Sequence, residues 1–584
     1  MDPAKPVPAA KKADASPATK LKRSARPKRV PKAAAEARAA KPRRSERRKP
    51  RAVPRKWPLV LAGSATALLA VGMVAAGTLV PGSNATAQLA LQNQVLPVGD
   101  SLSNCVGPTQ LVEGAAAGTD PQFAPGSSST KSQLSAVVLS NPDGTLPGAG
   151  VESLDAKGTP LFTLSKAPAQ PAAAASTAPA TLAPITGAAK GKAALLQNQD
   201  VSAASVLRAV PLAGLGPLSA GAVVVDSADG DLKGLSAATC QPASNDFWLA
   251  GASTTVGRTA VLKLANSSKS PATVSLDLVG AGGPVQAPGG KGLVVAPGAS
   301  RSVMLSGLAP DQELLSVHVK SSGGPVSAFI QQSVLRGLTP GGVDFLQPVQ
   351  APGTSQAIPG VRVQAPAAAA KIAAQSGYSD ASTALMVTVP GAADAIVEVK
   401  AYGPTGQVPL PGGGVFTATA GKVSQLSLAG LAEGTYTLTV SSNASVVAGV
   451  RLVNSTKPGA ATDIAFAPTA ARLGNNQLLS LPAGLSTTLV LAAPTGTGSV
   501  DLVPISASGA LGAQKTVTLQ SGQTTMVDPT ALLGSGTVAV LVSASGEAVY
   551  GTQLLGAKGS ANIAVLPIAA TSAEAQQLGI TTRF

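Results

Sequence analysis

Residues 58–80 form an uncharged run of 23 residues, reading LVLAGSATALLAVGMVAAGTLV after Pro58. As a helix at 1.5 Å per residue it would measure roughly 34 Å, enough to cross about 30 Å of hydrocarbon with some tilt. Arg55, Lys56 and Trp57 stand at its near edge, as an interfacial anchor would. On the far side the first charge is Asp100 and the first base is Lys131. Counting Lys and Arg at the two ends predicts a transmembrane helix over 57–80, with the N-terminus in the cytoplasm and the bulk of the chain outside. The alternative is a cleaved signal peptide ending near Ala85-Thr86-Ala87. Its 56-residue basic region and 23-residue apolar stretch would both be long for one, so a retained anchor is expected.

The charge distribution agrees with that topology. Residues 1–56 hold twenty of the 44 Lys and Arg against Asp2, Asp14, Glu36 and Glu46, so the whole formal excess of +16 sits there. The remaining 528 residues carry 24 bases and 24 acids. Without an aromatic residue before Trp57, the tail cannot bury enough apolar surface to fold and reads as disordered. Phosphate neutralisation would suit nucleic acid. However, the tail lacks aromatic and motif partners and abuts the apolar run, which favours anionic lipid at about 1 kcal/mol per basic residue. No specific nucleic-acid partner is expected.

Beyond the apolar run there are only two cysteines, Cys105 and Cys240. An even pair in an oxidising compartment predicts one disulfide. The enclosed region, within a first β-rich segment over 85–245, carries strand-like runs at Leu134–Leu139, Val206–Val210 and Ala222–Val225. Residues 166–192 interrupt it with a Pro/Ala/Thr-rich stretch read as a mobile excursion.

Further along, a domain-sized pattern recurs. Gly307-Leu308-Ala309, Leu315–Val319 and Ser321-Ser322-Gly323 are matched by Gly430-Leu431-Ala432, Tyr436–Val440 and Ser441-Ser442-Asn443. A looser copy has Val538–Val542 and Ser545-Gly546. The segment Ala272–Leu278 alternates Thr273, Ser275 and Asp277 with Val274, Leu276 and Leu278. One face buried and one face wet is what a two-sheet sandwich needs. The fold predicted is therefore all-β: tandem immunoglobulin-like sandwiches over 246–350, 375–456 and 470–568, with a β-propeller as the alternative.

The stretch from Phe247 to Gly337, opening FWLAGASTTVGRTAVLKLANSSKSPATVSLDLVG and following shortly after Cys240, resembles an uncharacterised family of large exported, membrane-anchored actinobacterial proteins. The resemblance covers most of 58–560. It implies an envelope location and brings no catalytic residues.

Catalytic chemistry is hard to assemble from what remains. His318 is the chain's only histidine and lies in an alternating strand with Ser316 and Lys320, where it reads as a surface or edge residue. There is no G-x-S-x-G elbow. Gly289-Gly290-Lys291 has Val285 where a phosphate loop needs glycine and Gly292 where it needs Ser or Thr, so it reads as a strand connection. Asp226, Asp229 and Asp231 depart from calcium-loop spacing and read as an acidic turn. Beside Phe247, Trp248 reads as an aromatic plug at a domain start. No catalytic residue, metal ligand or cofactor is assigned. The expectation is a non-catalytic membrane-anchored envelope protein, a scaffold or binding module for cell-wall polymer or envelope proteins. The alternative is an envelope hydrolase or transferase using paired acids.

Overall fold

Alternation of apolar and small polar residues dictates what this chain builds. In Ala272–Gly280 the side chains of Val274, Leu276 and Leu278 are buried while Thr273 is exposed, as the sequence pattern requires. A computed structural model describes residues 99–569 except 113–125, 156, 169–184, 186–190, 213–214, 458 and 558, together with the strands Gln92–Val95 and Gln577–Ile580, which pair antiparallel. The basic tail and the apolar run at 57–80 lie outside the described residues, as does most of 166–192. Among the described residues, no helix is long and apolar enough to cross a membrane.

The chain is all-β, and its strands group into two-sheet units of one topology. In the second unit eight strands follow in chain order: Asp246–Ala252, Arg258–Asn266, Ala272–Gly280, a split fourth (Gly283–Val285 and Leu293–Val295), Ala299–Met304, Leu315–Gly323, Ser327–Arg336 and Thr339–Leu346. One sheet runs first, sixth, third, fourth; the other runs fifth, second, seventh, eighth. The two sheets pack face to face through Leu262, Val274, Val317 and Ile330. The same two orders recur from Ser101–Cys105 to Gly234–Thr239, from Gly353–Val363 to Thr462–Pro468, and from Gln477–Ser480 to Ile563–Pro567.

The described residues thus hold four copies of the pattern, not three. The segment read as a separate β-rich region is the first copy, which lacks the matching Gly-Leu-Ala and Ser-Ser turn signals that the second and third copies share. The third copy also runs wider than 375–456, because its first strand is Gly353–Val363 and its last Thr462–Pro468. Its sequence-predicted turn at Ser441-Ser442-Asn443 does not form. Instead one 22-residue strand, Gly434–Ser455, serves as both sixth and seventh, pairing with one sheet up to Val446 and with the other from Val447. A strand that switches sheets in this way turns a sandwich corner without a loop. The four-stranded sheets face a common centre, as propeller blades would, but each is backed by a second sheet.

That centre is built from the four eighth strands, each the edge of its sheet. They neighbour one another in a ring, first to second to third to fourth and back to the first. A bare edge presents N–H groups that need acceptors. Here buried side chains supply them. Asp344, wholly buried, accepts from Ala237 N–H at 3.1 Å and from Phe466 N–H at 3.0 Å. Asp463 accepts from Leu235 N–H at 3.0 Å and from Ile563 N–H at 3.1 Å. Gln347 accepts from Thr239 N–H at 2.9 Å and donates to the Val565 carbonyl at 3.2 Å. Asp344 and Asp463 thus each tie their own strand to two others, and Gln347, just past the end of its strand at Leu346, links the first and fourth units to the second. Close approach is possible because Gly342 (φ +107°) has no Cβ, which would meet Ile464 N at 2.5 Å.

Candidate ligand-binding cleft

Strand register brings together residues that lie up to 74 positions apart. On the sheet Asp246–Ala252, Leu315–Gly323, Ala272–Gly280, Trp248 stands opposite His318, and His318 stands opposite Asp277. One step along, Asp246 and Ser275 flank Lys320. Period-2 alternation puts all of them on the face away from the unit's core.

His318 and Trp248 are stacked, with ring centroids 4.2 Å apart and 12° between planes. Trp248 is only 4% exposed and packs against Val349, Met386 and Val447 at the junction with the third unit. Nε2 of His318 lies 2.9 Å from Asp246 Oδ1, and Nδ1 lies 3.8 Å from Asp277 Oδ2. Lys320 Nζ is 3.2 Å from Asp277 Oδ2, and Lys291 Nζ bonds its Oδ1. The Lys291 and Lys320 ammonium groups hold the Asp277 carboxyl below its ordinary range, against the smaller opposing effect of partial burial. Above them is an open cleft of about 720 Å³, closed on its far side by Pro352, Pro390 and Gly421.

The imidazole lies between two carboxylates, hydrogen-bonded to Asp246, and among the described residues no hydroxyl or thiol completes a relay with it. Nucleophilic catalysis needs such a group on the second ring nitrogen. The lysines are matched by carboxylates, leaving a cleft of balanced, partly hydrated charge beside an aromatic stack, suited to binding a polar ligand by exchanging existing ion pairs.

The remaining sequence candidates fall elsewhere. Cys105 and Cys240 form the disulfide, both buried within the first unit's core beside Leu207 and Val223. Asp226 accepts from Asn562 Nδ2 at 3.1 Å, whereas Asp229 is bound by Ser127, Ser128 and Ser129, whose hydroxyls hold it well below the usual carboxylate range. Asp231 makes neither contact; burial raises it. Among the described residues no group of three His, Cys, Asp or Glu is placed to hold a metal ion. Gly289-Gly290-Lys291 lies in a strand connection, as expected, and its Lys291 reaches the cleft. In the Pro/Ala-rich stretch, Ile185 donates its N–H to Asn476 Oδ1 at 2.9 Å and packs on the fourth unit.

Alternation placed His318, Lys320 and Asp277 on a polar face, but nothing in the sequence pairs that face with Trp248. The arrangement defines a class: an all-β protein of four repeated two-sheet units with a charge-balanced cleft between two of them. More particularly, the chain belongs to a family of unknown function (DUF5719), which matches residues 195–530 and so spans the second and third units, cleft included. No curated protein and no solved structure matches it.

Proposed function

We propose that the chain is a non-catalytic, membrane-anchored protein of the actinobacterial cell envelope. Its β units, variants of the immunoglobulin-like sandwich, form a rigid exported scaffold that presents the cleft to cell-wall polymer or a protein partner. The observation that carries this reading is the His318 imidazole lying between Asp246 and Asp277 with no nucleophile beside it among the described residues. Rigidity follows from the central side chains that tie the four units together. The anchor and orientation rest on the apolar run and the basic tail.

The test is retention of the full-length protein on isolated cell-wall polymer and on solubilised envelope proteins, with the Asp277→Asn and Lys320→Ala variants alongside. Retention that both variants weaken is expected. Equal retention of all three proteins, or none, would remove the cleft from the reading. Protease added to intact cells should trim the chain beyond the anchor, and a protected C-terminal portion would overturn the topology.

A second reading, an envelope hydrolase, is favoured by one observation: the cleft gathers two carboxylates, Asp246 and Asp277. Cleavage of wall polysaccharide that Asp277→Asn abolishes would establish it over the first.

A further inference from the structure

A second cavity, about 150 Å³, lies where the first unit meets the second, beneath the disulfide. Its floor is the outer face of the sheet containing Arg258–Asn266. There Lys263 stands in register between Ser302 on one neighbouring strand and Phe329 on the other. Its roof is the chain after Cys105, at Gly107 and Pro108, with Ala203 and Ala204. Roof and floor are fastened reciprocally: Gln331 accepts from Gln110 N–H at 3.0 Å and donates to the Gln110 carbonyl at 2.8 Å. Phe329, 2% exposed, packs in the same cluster as Cys105 and Val106.

Among the described residues, Lys263 has no hydrogen-bond or ion-pair partner, and none that lines the cavity is acidic. The other cation on its wall, Arg301, donates its guanidinium to the Val294 carbonyl on the opposite sheet at 3.2 Å. The cavity therefore holds two cations, Lys263 and Arg301, with no carboxylate among its described lining residues, beside an aromatic ring and a hydroxyl. Lys263 is half-buried; removing part of a cation's water with no carboxylate beside it is unfavourable, and burial lowers the ammonium's pKa accordingly.

We propose that this cavity binds the anionic end of a small acidic ligand, a carboxylate or phosphate, with Lys263 supplying the charge and Ser302 a hydrogen bond. With room for only a few water-sized groups (about 30 Å³ each in the liquid), it suits a small anion or an acidic terminus rather than a polymer chain. This site is separate from the cleft and stands whether or not the cleft reading does.

The experiment acylates the full-length protein with an amine-reactive reagent and reads each lysine by mass spectrometry. Inorganic phosphate, succinate or chloride is added at matched ionic strength. Phosphate or succinate, but not chloride, should protect Lys263 while Lys400 and Lys515 label as before. Thermal melting should rise with the same anions. Lys263→Met, folded by circular dichroism, should bind them about tenfold more weakly or worse, whereas Lys263→Arg should retain binding. Protection by phosphate alone or succinate alone identifies which anion chemistry the site takes. Labelling of Lys263 indifferent to every anion, or an anion-induced shift unchanged in Lys263→Met, would overturn the proposal.

Discussion

The central ring makes a quantitative demand on Asp463. Burial pushes its carboxyl up to about 8, although the N–H groups of Leu235, Ile563 and Ile464 pull it down. An acid whose folded pKa exceeds its unfolded value binds its proton more tightly when folded. Its stabilising contribution is therefore full below about pH 4 and is lost as pH rises through about 8. From 3.8 to about 8, at 1.36 kcal/mol per unit, the loss is on the order of 6 kcal/mol. Asp344, also wholly buried and pushed up by burial, steepens the same slope.

Asp463→Asn removes the titration but keeps one acceptor oxygen for Leu235 and Ile563, while its NH₂ is left facing the Ile464 N–H. At acid pH the variant should thus be less stable than the parent by about 1–3 kcal/mol, the cost of one unsatisfied buried donor. Near pH 9 the gap should close or reverse, since only the parent then buries a carboxylate. The assay is urea unfolding followed by far-ultraviolet circular dichroism at about pH 5, 7 and 9, comparing midpoints because several units need not unfold together. Parallel pH slopes in parent and variant would refute the assignment of the slope to Asp463.

Other outcomes follow from the same geometry. Burial raises Asp380, but the Arg258 and Arg336 guanidinium groups outweigh it and hold the carboxyl below its usual range. Asp380→Ala leaves the Arg336 side chain, 2% exposed, without its ion-pair partner and should cost about 3–5 kcal/mol in urea midpoints. Replacing Cys105 and Cys240 by serine opens a loop with 134 residues between them and should cost about 4–5 kcal/mol, read by thermal melting. Gly342→Val, which forces a side chain against Ile464 N and Asp463, should loosen the ring and raise hydrogen exchange at Leu235 and Ile563, read by mass spectrometry.

Several features were legible in the chain alone because they depend on neighbours in sequence. The buried rows of Ala272–Gly280 follow from strict alternation, and the disulfide from there being two cysteines. The turns at Gly307-Leu308-Ala309 and Gly430-Leu431-Ala432 follow from residues that end strands. The all-β class needed nothing more.

What only the tertiary structure decided is register and adjacency between distant segments. His318 looked like an edge residue because its strand is amphipathic. It is a cleft residue because Trp248 on one neighbouring strand and Asp277 on the other fall opposite it. The first copy of the repeat escaped notice because topology, not turn sequence, is what it shares with the rest. Asp344 and Asp463 stand singly in apolar strands and carry no motif or spacing signal. Their role arises because four sheet edges converge where backbone N–H groups cannot reach one another's carbonyls, and a carboxylate is long enough to bridge them. Local periodicity sets which side of a strand is apolar, but which edges meet is set by packing free energy summed over the whole body.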